Sequence, residues 1–307
     1  MTTPGRARTV GVAAVCALNC FAPRDALAGL AWDGMTVLIV GGSGYLGTEL
    51  ARQGSSAGRD TAATFHSCPG EVTGVPWHRL DLRDPAGLHE VLDAVDPRAV
   101  INASSGDADW AVTAEGGMRL ARATADRGIR LVHVSTDAVF SGRRDAYDET
   151  CLPDPVTPYG AAKAAAETAV RLLCTDAIVA RTSLILGDGR SGHERQVRDL
   201  VAGTRRGVLF TDDVRCPVHV CDLAAALWEL TGSDTTGVLH LAGAEAVTRL
   251  ELGTLIARRD GLDASRLASG RRADTGLPGG LRIVLDGGAS RRRLSTRLRG
   301  ATEFLSP

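Results

Sequence analysis

Met35–Gly47 reads MTVLIVGGSGYLG. Met35 to Val40 form a short apolar run that stops at glycines, the pattern of a strand buried on both faces of a parallel sheet. Glycines 41, 44 and 47 follow at three-residue spacing, and Thr48–Gln53 begins a helix. In that context the first glycine permits a tight turn. The second admits a pyrophosphate to the backbone, and the third lets the helix pack close to the strand. The N–H groups and dipole at a helix start favour phosphate charge. The segment therefore points to a dinucleotide held by Gly41, Ser43, Gly44, Tyr45, Leu46 and Gly47.

Working outward, strands and helices alternate. Thr61–Phe65, Ala99–Ala103, Leu131–Val134 and Ala177–Ala180 read as strands. Helices are expected from Asp84 to Val95, where Asp84 caps and Pro85 suits the first turn, over Ala114–Arg127 closed by Gly128, and over Pro158–Leu173. This alternation predicts an α/β fold, a Rossmann-type doubly wound parallel sheet with helices on both faces. Beyond Gly187 the rhythm weakens. Gln196–Gly203, Leu223–Thr231 and Leu250–Arg259 look helical, and Val238–Leu241 and Arg282–Leu285 look like strands. The expected division is a dinucleotide-binding domain over 35–186 plus about 217–243, and a smaller C-terminal α/β substrate domain from about 187–216 and 244–307.

Residues 1–34 fit this plan poorly. Arg6 and Arg8 precede an apolar stretch from Val10 to Ala22, the outline of a secretory signal. Asn19 and Cys20 interrupt it, so the segment is expected to be a disordered leader or a misassigned start, with the folded domain beginning near Met35. Seven cysteines, an odd number without C-x-x-C pairs, suggest a reducing, cytoplasmic setting and no metal site. A formal charge of -1 gives no reason to expect nucleic acid or a membrane as partner. The expected partner is a small-molecule substrate, and a homodimer is compatible with the sequence.

The second strand ends at Thr64-Phe65-His66-Ser67 with no acid to take a ribose 2′-hydroxyl. His66, Ser67 or Arg83 could instead meet a 2′-phosphate, which favours NADPH and leaves NADH open. Of 35 cations Lys163 is the only lysine. It stands four residues after Tyr159, so phenol and ammonium share one helix face. A neighbouring ammonium stabilises phenolate, and the pair could act as a general acid when a carbonyl is reduced. Upstream, Ser135-Thr136-Asp137 ends a strand at the sheet edge where ligands bind in this architecture. Thr136 could hydrogen-bond a substrate carbonyl, and Asp137 could orient neighbours or cap the following turn.

These segments, with Leu80-Asp81-Leu82, Ile101-Asn102-Ala103, Val134–Gly142, Pro158–Lys163, Arg181-Thr182-Ser183 and Cys216–Leu223, resemble in order the extended short-chain dehydrogenase/reductases. The S-T-D-x-V-F-x-G form is most similar to the dTDP-4-dehydrorhamnose reductase branch. The resemblance implies hydride transfer from a nicotinamide to a carbonyl, with Thr136, Tyr159 and Lys163 as catalytic trio. It implies that Lys163 also holds the nicotinamide ribose, that Asp81 and Leu82 lie by the adenine, and that Ala103, Ser104 and Ser135 border the cofactor. Two segments depart from the family. Ser183-Leu184-Ile185-Leu186 replaces an aromatic S-W-V-Y run, and Ser104–Trp110 (SSGDADW) replaces A-A-Y-T-x-V-D. Asp107, Trp110, Asp137, Ser183, Leu184 and His219 are the substrate-facing candidates. The implied substrate is a 4-keto nucleotide sugar or a keto or imino intermediate of specialised metabolism. An epimerase or dehydratase that retains NAD, and a non-catalytic reductase-like regulatory subunit, are the alternatives. Eleven arginines between Arg258 and Arg299 read either as a solvated face or as a clamp for a diphosphate.

Overall fold

A computed structural model describes residue 32 and residues 34–306 of the chain. The expected leader otherwise lies outside the described residues. Trp32, which falls inside it, packs edge-on to Trp228 at 5.6 Å, with the Arg59 guanidinium over both rings.

Six strands in chain order are β1 (Val37–Val40), β2 (Thr61–Phe65), β3 (Trp77–Arg79), β4 (Ala99–Asn102), β5 (Arg130–Thr136) and β6 (Ile178–Thr182). Together with Gly237–Leu241 they form one seven-stranded sheet. From one edge the order is Gly237–Leu241, β6, β5, β4, β1, β2, β3, all parallel. The order reverses between β1 and β4, so their carboxyl ends open a crevice, the place where such sheets take ligands. The central strands are apolar throughout because both faces are covered. Val37 and Ile39 of β1 point into one core with Leu50 and Trp228, and Leu38 and Val40 into the other with Leu88 and Leu120.

The first face carries α1 (Tyr45–Ser56) and, later in the chain, Val220–Thr231. The second carries α2 (Pro85–Val95), α3 (Gly117–Asp126) and α4 (Pro158–Leu173). Asp84 caps α2 by accepting from the Ala86 N–H at 3.0 Å, with Pro85 in the first turn. A π-helical turn, Ala111–Gly116, leads into α3. The C-terminal part has its own core, where α5 (Gly192–Ala202) and Arg249–Arg259 pack through Val197, Leu252 and Ile256.

One expected strand is absent and one unexpected strand is present. Arg282–Leu285 is not a strand: it makes only isolated bridges, Val214 to Arg282 and Tyr147 to Leu285. Glycines 279, 280, 287 and 288 flank it and leave no length for a ladder. Conversely, Trp77–Arg79 forms β3, a three-residue edge strand too short to show a period. No helix among the described residues is long and apolar enough to cross a membrane.

Candidate active site

The glycine turn is shaped by close approach. Gly41 has φ +81, and a Cβ there would lie 2.7 Å from the Ser104 Cα. A Cβ on Gly47 would lie 2.2 Å from the Gly41 carbonyl oxygen. The turn is thus pressed against the loop after β4 and against its own helix, and neither position accepts a side chain. At the start of α1, Gly44 offers no side-chain cap and the first turn holds no acid. Its N–H groups are left for a ligand, the usual setting for a phosphate.

These elements border a cleft of about 550 Å3 at the carboxyl edge of the sheet. Gly41, Ser43, Gly44, Tyr45 and Leu46 line one wall, and His66, Asp81, Leu82 and Arg83 one end. Ala103, Ser104, Ser135, Thr136, Tyr159, Lys163 and Ser183 complete it. At the end formed by β2, His66 Nε2 stands 3.5 Å from Asp81, and Arg83 bridges Asp81 at 3.4 Å and Asp109 at 2.6 Å. Ser67 holds the other His66 nitrogen at 3.1 Å. The tight glycine turn and the uncapped helix start fit a dinucleotide; β2 itself ends without an acid, and the nearby Asp81 and Asp109 carboxylates are held by Arg83.

Lys163 is buried, and its ammonium donates to the main-chain carbonyls of Ser104 and Val134, both at 3.2 Å. Burial brings its pKa down to about 8, against the attraction of Glu167 one turn further along α4. Tyr159 lies in the first turn of α4, which Thr157 caps. The sequence predicts a phenol pKa lowered by the lysine. In the structure burial raises it, and hydrogen bonds from Thr136 and Ser105 only oppose the rise. The phenol therefore keeps its proton at neutral pH.

Thr136 caps a short turn by accepting from the Ala138 N–H, and its hydroxyl contacts Asp137 at 3.4 Å. Asp137 itself is buried beneath the cleft. Ser183 donates to it at 2.6 Å and the Arg215 Nε lies 3.7 Å away, while burial raises its pKa. The Ser135 hydroxyl also faces inward, donating to Glu167 at 2.5 Å, so Ser135 borders the cleft by its backbone. Gly47, Asp107, Trp110, Leu184 and His219 do not line the cleft. His219 instead caps Val220–Thr231 through Nδ1 and packs edge-on to Phe304 at 5.3 Å.

Beyond Asp137 the buried charges continue. Arg215 lies 2.7 Å from Asp213 at an angle that makes no hydrogen bond, and Arg272 and Arg249 reach Asp213 at 3.0 and 3.6 Å. Arg249 and Arg272 line a second cavity of about 210 Å3 together with His193, Gln196 and Phe210. The Arg272 Nε is buried without a partner. Of the eleven C-terminal arginines only Arg272 lines this cavity, and Arg249 comes from outside that run. Nothing in local sequence singles out Arg249, Arg215, Gln196 or Ser105, because only the fold brings them here. Among the described residues no group of His, Cys, Asp and Glu side chains could hold a metal ion.

The RmlD substrate binding domain family model matches residues 35–278. A dTDP-4-dehydrorhamnose reductase of Mycobacterium tuberculosis is 34% identical over 248 residues, 75% of this chain and 77% of that protein. The probable low-salt glycan biosynthesis reductase Agl14 of Haloferax volcanii is 30% identical over 260 residues, 80% of this chain and 86% of that one. A dTDP-4-dehydrorhamnose reductase from Bacillus anthracis, solved in complex with NADP, shares the fold. Its TM-score is 0.76 at 21% identity, covering 88% of this chain and 97% of that one. The chain thus belongs to the RmlD substrate-binding-domain family, the dTDP-4-dehydrorhamnose reductase-like branch of the extended short-chain dehydrogenase/reductases, and is an oxidoreductase.

Proposed function

We propose that the protein reduces the carbonyl of a 4-keto nucleotide sugar with NADPH, Tyr159 being the general acid. The observation that carries this reading is that a protonated, half-buried phenol, the Thr136 hydroxyl and a buried lysine line one cleft together with the glycine turn. When bound, the reduced nicotinamide supplies hydride to the carbonyl carbon. Tyr159 gives its proton to the carbonyl oxygen, and Thr136 donates a hydrogen bond that fixes that oxygen. Lys163, on the same helix face as Tyr159, offers its charge to the phenolate left behind and its remaining N–H to the nicotinamide ribose. The turn at Gly41 and the start of α1 hold the pyrophosphate, and His66 and Arg83 meet the 2′-phosphate.

The second cavity supports a substrate with an anionic tail. Arg215, Arg249 and Arg272 lie around the buried carboxylate of Asp213, with Arg215 also facing Asp137, and guanidinium suits phosphate geometry. Incubation with NADPH and a dTDP-4-keto-6-deoxy sugar tests the reading, with NADPH oxidation expected to match sugar reduction one for one. Tyr159→Phe is expected to bind NADPH as the wild type does and to lose at least about 100-fold in kcat. A Tyr159→Phe variant with wild-type turnover would remove the acid role. Turnover with tightly retained NAD and no net oxidation would point to an epimerase.

A further inference from the structure

Asn102 and His133 are register partners on β4 and β5, and both are buried. The Asn102 Oδ1 accepts from the Ser104 backbone N–H at 3.1 Å and from its hydroxyl at 2.6 Å. A backbone N–H can only donate, so the amide oxygen must face Ser104 and the amide nitrogen must face His133. That nitrogen lies 3.1 Å from His133 Nδ1. An amide nitrogen only donates, so Nδ1 must accept, and the proton of the neutral ring sits on Nε2. Burial and the nearby Lys163 charge keep the ring neutral, with a pKa of about 3. Among the described residues Nε2 has no hydrogen-bond partner. A buried donor without an acceptor is costly, and an apolar residue here would remove the Nε2–H but leave the Asn102 amide without its acceptor. What the imidazole alone supplies at this place is an acceptor for Asn102.

The consequence reaches the catalytic pair. The Ser104 carbonyl, one residue-length from the amide lock, takes a hydrogen bond from Lys163 at 3.2 Å. The next residue, Ser105, hydrogen-bonds the Tyr159 phenol. One short segment therefore touches both groups, and Asn102 pins it. We propose that His133 is a positioning residue: its Nδ1 locks the Asn102 amide, the amide pins Ser104, and the Ser104 carbonyl places the Lys163 ammonium. The importance of that placement for catalysis rests on the reductase reading above. The chain of contacts does not, and it can be tested without cofactor or turnover.

Lys163 is the only lysine in the sequence, so full-length protein made with isotope-labelled lysine gives one side-chain NMR signal that titrates with Lys163 alone. The charged or titratable groups facing it are Glu167 and Tyr159 on α4 and His133 on β5. In His133→Leu the amide is released, the Ser104 carbonyl loosens its hold on the charged form, and the lysine midpoint is expected to fall by about one pH unit. His133→Asn, whose Oδ1 can stand where Nδ1 stood, is expected to titrate as the wild type does. An unchanged midpoint in folded His133→Leu, or His133→Asn titrating like His133→Leu, would overturn the assignment. If His133→Leu does not fold, the ring nitrogens of the wild-type protein decide. The histidine signal lost in His133→Asn must report the Nε2–H tautomer, and an Nδ1–H tautomer would sink the proposal. Absence of reductase activity would remove the functional reading and leave this result standing.

Discussion

Lys163 is held by two main-chain carbonyls at the sheet edge, so its place is set by the loop after β4 and by strand β5 as much as by the helix that carries it. Glu167, one turn on, belongs to a different contact. It pairs with Arg181 at 2.8 Å with both side chains almost fully buried, and Arg181 also stacks on Phe140 at 4.9 Å. Such a pair adds little net stability when intact, but removing one partner strands a buried charge. Glu167→Gln is expected to lower unfolding stability by about 3–5 kcal/mol in urea titrations. A loss below about 1 kcal/mol would show that Arg181 finds other acceptors. The i, i+4 spacing of Tyr159 and Lys163 is legible in the sequence because a helix face follows from spacing alone. The direction of the phenol's pKa is not, since it depends on burial by segments far away in the chain.

At the scale of elements, the strand–turn–helix at Val37–Ser56 forms where the apolar run and glycine spacing place it. Its third glycine works by contact rather than by conformational freedom. Gly47→Ala would push a methyl into the Gly41 carbonyl and shift α1 off β1. The expected result is a loss of about 1–3 kcal/mol of stability. NADPH binding should weaken at least about tenfold, read by fluorescence titration, because the displaced turn no longer presents its N–H groups. Unaltered binding in Gly47→Ala would mean that the cofactor does not use this turn. Long buried strands are readable because coverage on both faces makes them continuously apolar. Two short ones defeat that signal. Trp77–Arg79 forms because β2 offers an open edge, and Arg282–Leu285 fails to form because each end meets a different neighbour.

For the whole molecule, burial of neutral histidines sets the acid limit. His133 is held at about 3, and His193 and His240 at about 4, all below an ordinary value of 6.5, chiefly by burial. The unfolded chain therefore takes up protons near pH 6.5 that the native state refuses. Stability is expected to fall as pH drops from about 6.5 through the window down to about 4. Each histidine contributes up to about 1.4 kcal/mol per pH unit. Urea midpoints measured across that window check this, and a flat profile would contradict it. The two cavities are joined by the buried charges of Asp137, Arg215 and Asp213. Arg249→Gln is expected to raise the KM for a nucleotide sugar at least about tenfold with kcat changed much less, since it removes binding remote from the reacting carbonyl. A variant with unchanged KM would take the anionic tail out of the second cavity.

The doubly wound sheet, the glycine turn and the placing of Tyr159 and Lys163 one turn apart on a helix are legible along the chain. Each of these is encoded by periodicity or spacing within one segment, and local backbone geometry reads such patterns directly. That Ser135 and Asp137 turn inward, and that His219 serves as a helix cap against Phe304, follow from packing between distant segments. The same packing gathered Arg215, Arg249 and Arg272 around Asp213, beside Asp137, and put His133 behind the loop that holds Lys163. A polar side chain's partner is chosen by whichever distant segment arrives beside it. Burial then makes that choice costly to refuse, and no pattern along the chain records it.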